Sequence, residues 1–331
     1  MDIVRAESGS SVQTGDHFTV ALAQIEPVWL DRAATLEKVS ETVSKAGALG
    51  AGLCVFGEAL VPGYPFWVER TDGAKFESTV QQTWYDHYLR EGVVIERGDL
   101  ALVQAAAKAA GCAVYLGIME RAPDRSGTTL YCSLVYIDAS GVVQSTHRKL
   151  QPTYEERLVW GMGDGHGLRC HDLDAFRVGG LNCWENWLPL ARAALHGMGE
   201  TLHVAVWPGG EHNTRDLTSM IAREGRSFVL SVSGLMANVP PALELPGIEA
   251  LRDAGVMANG GSCIAAPDGS WTVEPVVDRE ALIIADLDAS AVRRARHSLD
   301  ISGHYSRPDV LHLEIDRRRR ATISTLDTNK E

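Results

Sequence analysis

The sequence predicts an α/β fold of mixed sheets with helices outside them, stacked in layers. Apolar runs of strand length (18–25, 53–56, 113–120, 176–181, 202–206, 228–232) alternate with stretches of helical periodicity. Two hairpin signals, Asp138-Ala139-Ser140-Gly141 and Pro267-Asp268-Gly269-Ser270, break that alternation, so some strands must pair antiparallel. No linker rich in Pro, Ser or Gly divides the 331 residues, and no repeat of about 20–50 residues recurs, so the elements share one domain.

Residues 1–16 are polar, carry both charge signs and read as a flexible lead-in. The near-continuous apolar run 18–25 is a strand buried on both faces. Asp31 can cap a helix running to about residue 48, with Leu36, Val39 and Val43 on its inward face. The strand 53–56 ends at Gly57-Glu58, and a loop rich in Pro, Gly and aromatic residues (61–67) follows. Helical patterns cover 78–91 and 99–110, and 113–120 is a strand. Strands 130–137 and 142–147 form the first hairpin, closed by Lys149. After the strand 176–181, a helix is expected from about Asn186 to His196. The strand 202–206, the helix 217–226 and the strand 228–232 come next. Cys263 opens the second hairpin, which returns through 282–284, and 291–299 is helical. Beyond Leu313 there is no apolar periodicity, so 314–331 is expected to be a tail. Its basic run, Arg317 to Arg320, reads as solvated, with a subunit contact as the alternative.

Composition narrows the function. A net charge of −12 argues against a phosphate-binding surface and for a small-molecule or protein partner, not nucleic acid. The six cysteines form no CxxC pair and no zinc-like cluster with histidine, which suits a reducing compartment. Residues 1–16 lack the apolar core of a secretory signal, and no apolar run of about 18 residues exists to span a membrane. A cytoplasmic location is expected.

The most informative chemistry lies in Gly179-Gly180-Leu181-Asn182-Cys183-Trp184-Glu185-Asn186-Trp187. A thiol on a strand-to-helix turn is held out from the backbone, and a nearby helix N-terminus would favour its thiolate. Glu58 and Lys149 also sit just past the ends of predicted strands, and strand ends on one edge of a layered sheet can converge. Together a thiol, a carboxylate and an ammonium suit attack on an electrophilic carbon bonded to nitrogen. Glu58 would take the thiol proton, and Lys149 would stabilise charge developing on nitrogen or oxygen.

These segments resemble the nitrilase superfamily of carbon–nitrogen hydrolases. The matching blocks are Phe56-Gly57-Glu58-Ala59-Leu60-Val61-Pro62-Gly63-Tyr64-Pro65, His147-Arg148-Lys149-Leu150-Gln151-Pro152-Thr153, Glu156-Arg157-Leu158-Val159-Trp160-Gly161 and Asn182-Cys183-Trp184-Glu185-Asn186. The resemblance runs from Phe18 to about Leu313, a hydrolase domain of residues 17–313, and includes the late segment Gly303-His304-Tyr305. It implies a four-layer α-β-β-α sandwich and a homodimer or larger spiral homo-oligomer. It also implies Glu58 as general base, Lys149 as transition-state stabiliser and Cys183 as nucleophile. Glu156 resembles the family's second glutamate, with Glu155 as the competing candidate.

Cys183-Trp184-Glu185 resembles the nitrilase branch, with an amidase, a carbamoyl hydrolase or a cyanide-degrading relative as alternatives. A non-catalytic scaffold member would not need all three triad residues. Gly57 stands where the family often has proline, a change in stiffness rather than chemistry. The implied reaction turns a nitrile into a carboxylic acid and ammonia through a covalent thioimidate and a thioester, without a metal or cofactor. An amide would form instead if the thiolate left before ammonia.

Among the aromatic residues near these motifs, Tyr64 and Trp184, with Glu185, are the candidate substrate-binding residues; Trp187 is expected to pack on the following helix. The glycine run 161–167 lacks the Lys-Ser/Thr of a phosphate loop and reads as a turn. His196, His203 and His212 lack metal-site spacing, and His304 is expected to hydrogen-bond structurally. The other five cysteines, Cys54, Cys112, Cys132, Cys170 and Cys263, read as buried packing residues.

Overall fold

Apolar side chains alternate so strictly along the central strands that each sheet must be covered on both faces. In the strand His17–Gln24, Val20 and Leu22 point to one core while Ala21 and Ala23 point to another. The computed structural model describes residues 1–6, 16–236 and 238–323. Its first sheet runs in the order β1 (Asp2–Arg5), β14 (Ala281–Asp288), β2 (His17–Gln24), β3 (Leu53–Phe56), β4 (Ala113–Arg121), β5 (Leu130–Ile137), β6 (Val143–Arg148). The second runs β11 (Leu235–Met236), β12 (Ala258–Ala265), β10 (Phe228–Ser233), β9 (Leu202–Trp207), β8 (Phe176–Asn182), β7 (His171–Leu173), with β13 (Trp271–Val277) paired to β12.

Between the sheets Val20, Leu22, Val55 and Leu134 meet Val178, Val204, Val206 and Leu230. Outside the first sheet lie α1 (Arg32–Ala48) and α4 (Ala101–Ala110), whose Leu36, Val39, Val43 and Val103 cover Ala21, Cys54 and Phe56. Outside the second lie α5 (Pro189–Gly197) and α6 (Glu211–Gly225), covering Leu181, Ala205 and Val229. The result is the α-β-β-α sandwich. Helix α3 (Thr79–Arg90) and the short helices α2 (Trp67–Arg70) and α7 (Glu249–Arg252) gather near the loop after β3, while α8 (Ala289–Ser298) follows β14.

Pairing direction explains why the predicted site residues can meet. Strand β3 is parallel to β4, while β4–β5 and β5–β6 are antiparallel. Two reversals leave β6 running with β3, so Glu58 and Lys149 emerge at the same edge of the first sheet. Cys183 emerges from β8 in the facing sheet. The site therefore lies across the two sheets.

Four expectations are corrected. Asp2–Arg5 is no loose lead-in: it pairs parallel with β14, from Asp2 opposite Ala281 to Arg5 opposite Ile284. Residues 7–15 lie outside the described residues. The helix expected from Asn186 is two pieces, a 3₁₀ turn over Cys183–Trp187 and then α5, because Pro189 favours the first helical position. Helix α6 begins at Glu211 rather than 217. The basic run is not simply solvated: Arg319 pairs with the buried Asp164 at 3.0 Å, and Ile315 packs beside Leu168 and Leu195. Residues 324–331 lie outside the described residues.

Candidate active site

Glu58 begins the chain's crossing over the end of β4. Its backbone N–H donates to the Trp207 carbonyl at 3.3 Å, tying the first sheet to the end of β9. Gly117 makes this crossing possible: a Cβ there would fall 2.1 Å from the Gly57 carbonyl oxygen and 2.8 Å from Glu58 Cα. Lys149 continues the β6 ladder by donating its backbone N–H to the Cys132 carbonyl at 2.8 Å. Glu156 lies in a 3₁₀ turn with a reciprocal capping box, its Oε2 accepting the Thr153 N–H at 2.6 Å. Cys183 takes a left-handed backbone, φ 46°, so the chain turns sharply and presents its sulfur.

These four residues meet in a buried cluster. Lys149 Nζ donates to Glu58 Oε1 at 2.8 Å and to Glu156 Oε2 at 2.7 Å. One carboxylate oxygen each from Glu58 and Glu156, together with Cys183 Sγ, lie within 4.8 Å of one another. All four side chains are buried, yet Glu58 Oε2 has no hydrogen-bond partner. A Glu58 carboxylate oxygen within 4.8 Å of the Cys183 sulfur is placed to accept the thiol proton. The same donor set could in principle ligate a cation, but the Lys149 ammonium already bridges both carboxylates.

The electrostatics correct one expectation. Cys183 is not held as a thiolate at rest: burial, then the negative charge of Glu58, push its pKa well above that of a free thiol, although the Trp184 backbone N–H opposes this. Burial also lifts Glu58 to about 7; Lys149 pulls it down and Glu156 pushes it up. Burial works against the Lys149 charge, but the carboxyl groups of Glu58 and Glu156 oppose it and the pKa of the ammonium stays raised. The resting state is therefore thiol, ammonium and a carboxyl group that titrates near neutrality.

Of the two candidate glutamates, Glu156 reaches Lys149, while Glu155 is half-exposed and accepts from the Tyr64 hydroxyl at 3.2 Å. Tyr64 donates to Glu156 Oε1 at 2.8 Å, which places its hydroxyl beside the cluster. Trp184 and Trp187 are each 53% exposed, and the Trp184 backbone N–H faces the Cys183 sulfur. Glu185 is spent inside the protein. It accepts from Asn182 N at 2.9 Å and Leu150 N at 2.5 Å and meets His147 Nε2 at 3.1 Å. It thus joins the cysteine turn to the lysine segment rather than facing a ligand. Trp207 is fully buried, and His304 is exposed against Tyr305.

Sequence reasoning missed Cys132, whose thiol lies 3.4 Å from Glu58 Oε1, and Asn186, whose amide donates to the Cys183 carbonyl at 2.8 Å. Cys132 precedes Lys149 by a strand pairing, a signal readable only once the hairpin register is known. Beside the cluster, a cleft of about 530 Å³ is lined by Val68, Lys75, Tyr154, Glu155, Arg157 and Leu158.

The family described as carbon-nitrogen hydrolase matches residues 19–297. A protein named Nitrilase 2, from an unknown prokaryotic organism, is 37% identical over 307 residues, covering 92% of this chain and 94% of the relative. An aliphatic nitrilase of Rhodococcus rhodochrous is 34% identical over 316 residues, covering 92% of this chain and 80% of the relative. The crystal structure of a carbon-nitrogen hydrolase from Helicobacter pylori G27 superposes with a TM-score of 0.67 at 16% identity, covering 86% of this chain and 93% of that one, a likeness of fold.

Proposed function

The chain belongs to the carbon–nitrogen hydrolase family, and we propose that within it the protein is a nitrilase, hydrolysing an organic nitrile to the carboxylic acid and ammonia. The observation that carries the chemistry is the buried cluster that brings a Glu58 carboxylate oxygen within 4.8 Å of the Cys183 sulfur while Lys149 Nζ donates to Glu58 at 2.8 Å.

Cys183 Sγ attacks the nitrile carbon while Glu58 accepts its proton and passes it to the nitrile nitrogen, giving a thioimidate. Lys149 and the Trp184 N–H support the nitrogen as charge gathers there. Glu58 then takes a proton from water, the hydroxyl adds to carbon, and that proton completes an amino group. The tetrahedral intermediate collapses as ammonia leaves with a proton relayed through Glu58, and a thioester remains. A second water, activated by Glu58, releases the acid and restores the thiol. The whole consumes one nitrile and two waters. Glu156 and Tyr64 hold Lys149 in place throughout.

The test is ammonia release from an aliphatic dinitrile, benzonitrile, phenylacetonitrile, cyanide and the matching amides, with Cys183→Ala beside the wild type. Acid and ammonia from organic nitriles are expected, with no turnover by the variant. Turnover of amides alone would place the protein in the amidase branch.

The protein is further read as a homodimer or larger spiral homo-oligomer. Exposed Trp184, Trp187, Leu188 and Leu190 form an apolar stretch beside the nucleophile turn, which supports that reading. Six free cysteines support a reducing, cytoplasmic setting. No helix among the described residues is long and apolar enough to cross a membrane.

A further inference from the structure

His203 is the second residue of the apolar strand β9, between Leu202 and Val204, and neither it nor Glu200 has any exposed surface. Its partners fix where its protons are. Asn186 Nδ2 faces two carbonyl oxygens, Cys183 O at 2.8 Å and Leu181 O at 3.3 Å. Carbonyls only accept, so the amide's NH₂ end lies there and its Oδ1 faces His203. That oxygen also only accepts, so His203 Nε2, at 2.8 Å, carries a hydrogen. On the other side of the ring, Nδ1 lies 2.9 Å from Glu200 Oε1, a distance that needs a second hydrogen between them. The pair therefore holds one proton in common, as imidazolium–carboxylate or as imidazole–carboxylic acid. Its net charge is zero either way, as complete burial requires.

The surroundings are built for this pair. His203 pairs across the ladder with Gly179, where a Cβ would fall 2.5 Å from Glu200 Oε1. A side chain at this position would push the carboxylate from its place beside His203. Asn186 is held at both ends, since Arg192 Nη1 donates to its carbonyl at 2.6 Å while Arg192 Nε pairs with Glu224 at 2.6 Å. His196 Nδ1 stands 3.5 Å from the second Glu200 oxygen. The chain of contacts ends on the carbonyl of the residue with the left-handed backbone that presents the thiol.

We propose that the buried His203–Glu200 pair, sharing one proton, is a positioning device that holds Cys183 in its nucleophilic conformation through Asn186. The proposal rests on the reading of Cys183 as nucleophile. None of the three residues touches the reacting atoms; His203 acts by donating to Asn186, which donates to Cys183.

The first test is neutron diffraction from the deuterated wild-type protein. A deuteron on His203 Nε2 and another between Nδ1 and Glu200 are expected; a bare Nε2 overturns the proposal. That readout does not depend on which substrate is hydrolysed or on Cys183 being the nucleophile. The second test compares His203→Leu with His203→Gln, whose amide N–H can still reach Asn186. His203→Leu should lower kcat and the rate of Cys183 alkylation by iodoacetamide together, about tenfold or more, with KM nearly unchanged. His203→Gln should recover most of both. Wild-type rates in a folded His203→Leu protein, or equal losses in the two variants, overturn the proposal. If neither variant folds, the deuteron positions decide.

Discussion

If Glu58 is the general base, pH acts on the proposed reaction through it. Its carboxyl, lifted to about 7, must be ionised to accept the Cys183 proton, so activity should rise with pH through that region rather than near the usual carboxylate value. Glu156 is one of the groups that push it up. Glu156→Gln removes that negative charge, so the acidic limb of the kcat/KM profile should move to lower pH, even as kcat falls with the loss of a Lys149 partner. An unmoved limb would show that another group sets it. Lys149→Arg should abolish turnover with the fold retained, because a planar guanidinium cannot take two carboxylates in the place of one compact ammonium. Turnover by each variant, with melting temperature as the check on folding, measures this. Cys132, 3.4 Å from Glu58, is absent from any motif that could have announced it. A thiol is an ordinary core residue until the partner of its side chain is known.

At the scale of elements, the site depends on two close approaches. The segment carrying Glu58 crosses β4 over Gly117 with no room for a methyl group. Gly117→Ala should displace Glu58, lower kcat at least as steeply as it lowers stability, and cost about 1–3 kcal/mol in chemical denaturation. A variant with wild-type kinetics would mean the crossing is looser than its contacts imply. The second approach is behind Lys149. Gly163 N donates to the Lys149 carbonyl at 2.8 Å, and the same turn contains Asp164, which Arg319 holds at 3.0 Å from the C-terminal segment. Arg319→Ala leaves a nearly buried carboxylate without its main counter-charge and should lower stability by about 2 kcal/mol, read as a fall in melting temperature. The sequence offered no sign of this docking. Arg317 to Arg320 look like any solvated basic run, since helical or strand periodicity is the only local signal and an extended strap has neither.

At the scale of the whole molecule, the exposed Trp184, Trp187, Leu188 and Leu190 lie next to the nucleophile turn, so an interface there would brace the site. Sedimentation should find a dimer or larger species, and Trp187→Asp with Leu190→Asp should reduce its mass and its activity together. A monomeric wild type would exclude the oligomeric reading. Local sequence signals were enough for the layered α/β architecture and for singling out Glu58, Lys149 and Cys183 as candidates. Strand-length apolar runs, helical spacing and two turn signals are local, and Glu58, Lys149 and Cys183 stand at fixed offsets from strand ends. The raised pKa of Cys183, the inward turn of Glu185, the exposure of Trp184 and the link from His203 through Asn186 to Cys183 became visible only with the tertiary structure. The physical reason is that desolvation and hydrogen-bond partnership arise where two sheets meet, between residues far apart along the chain.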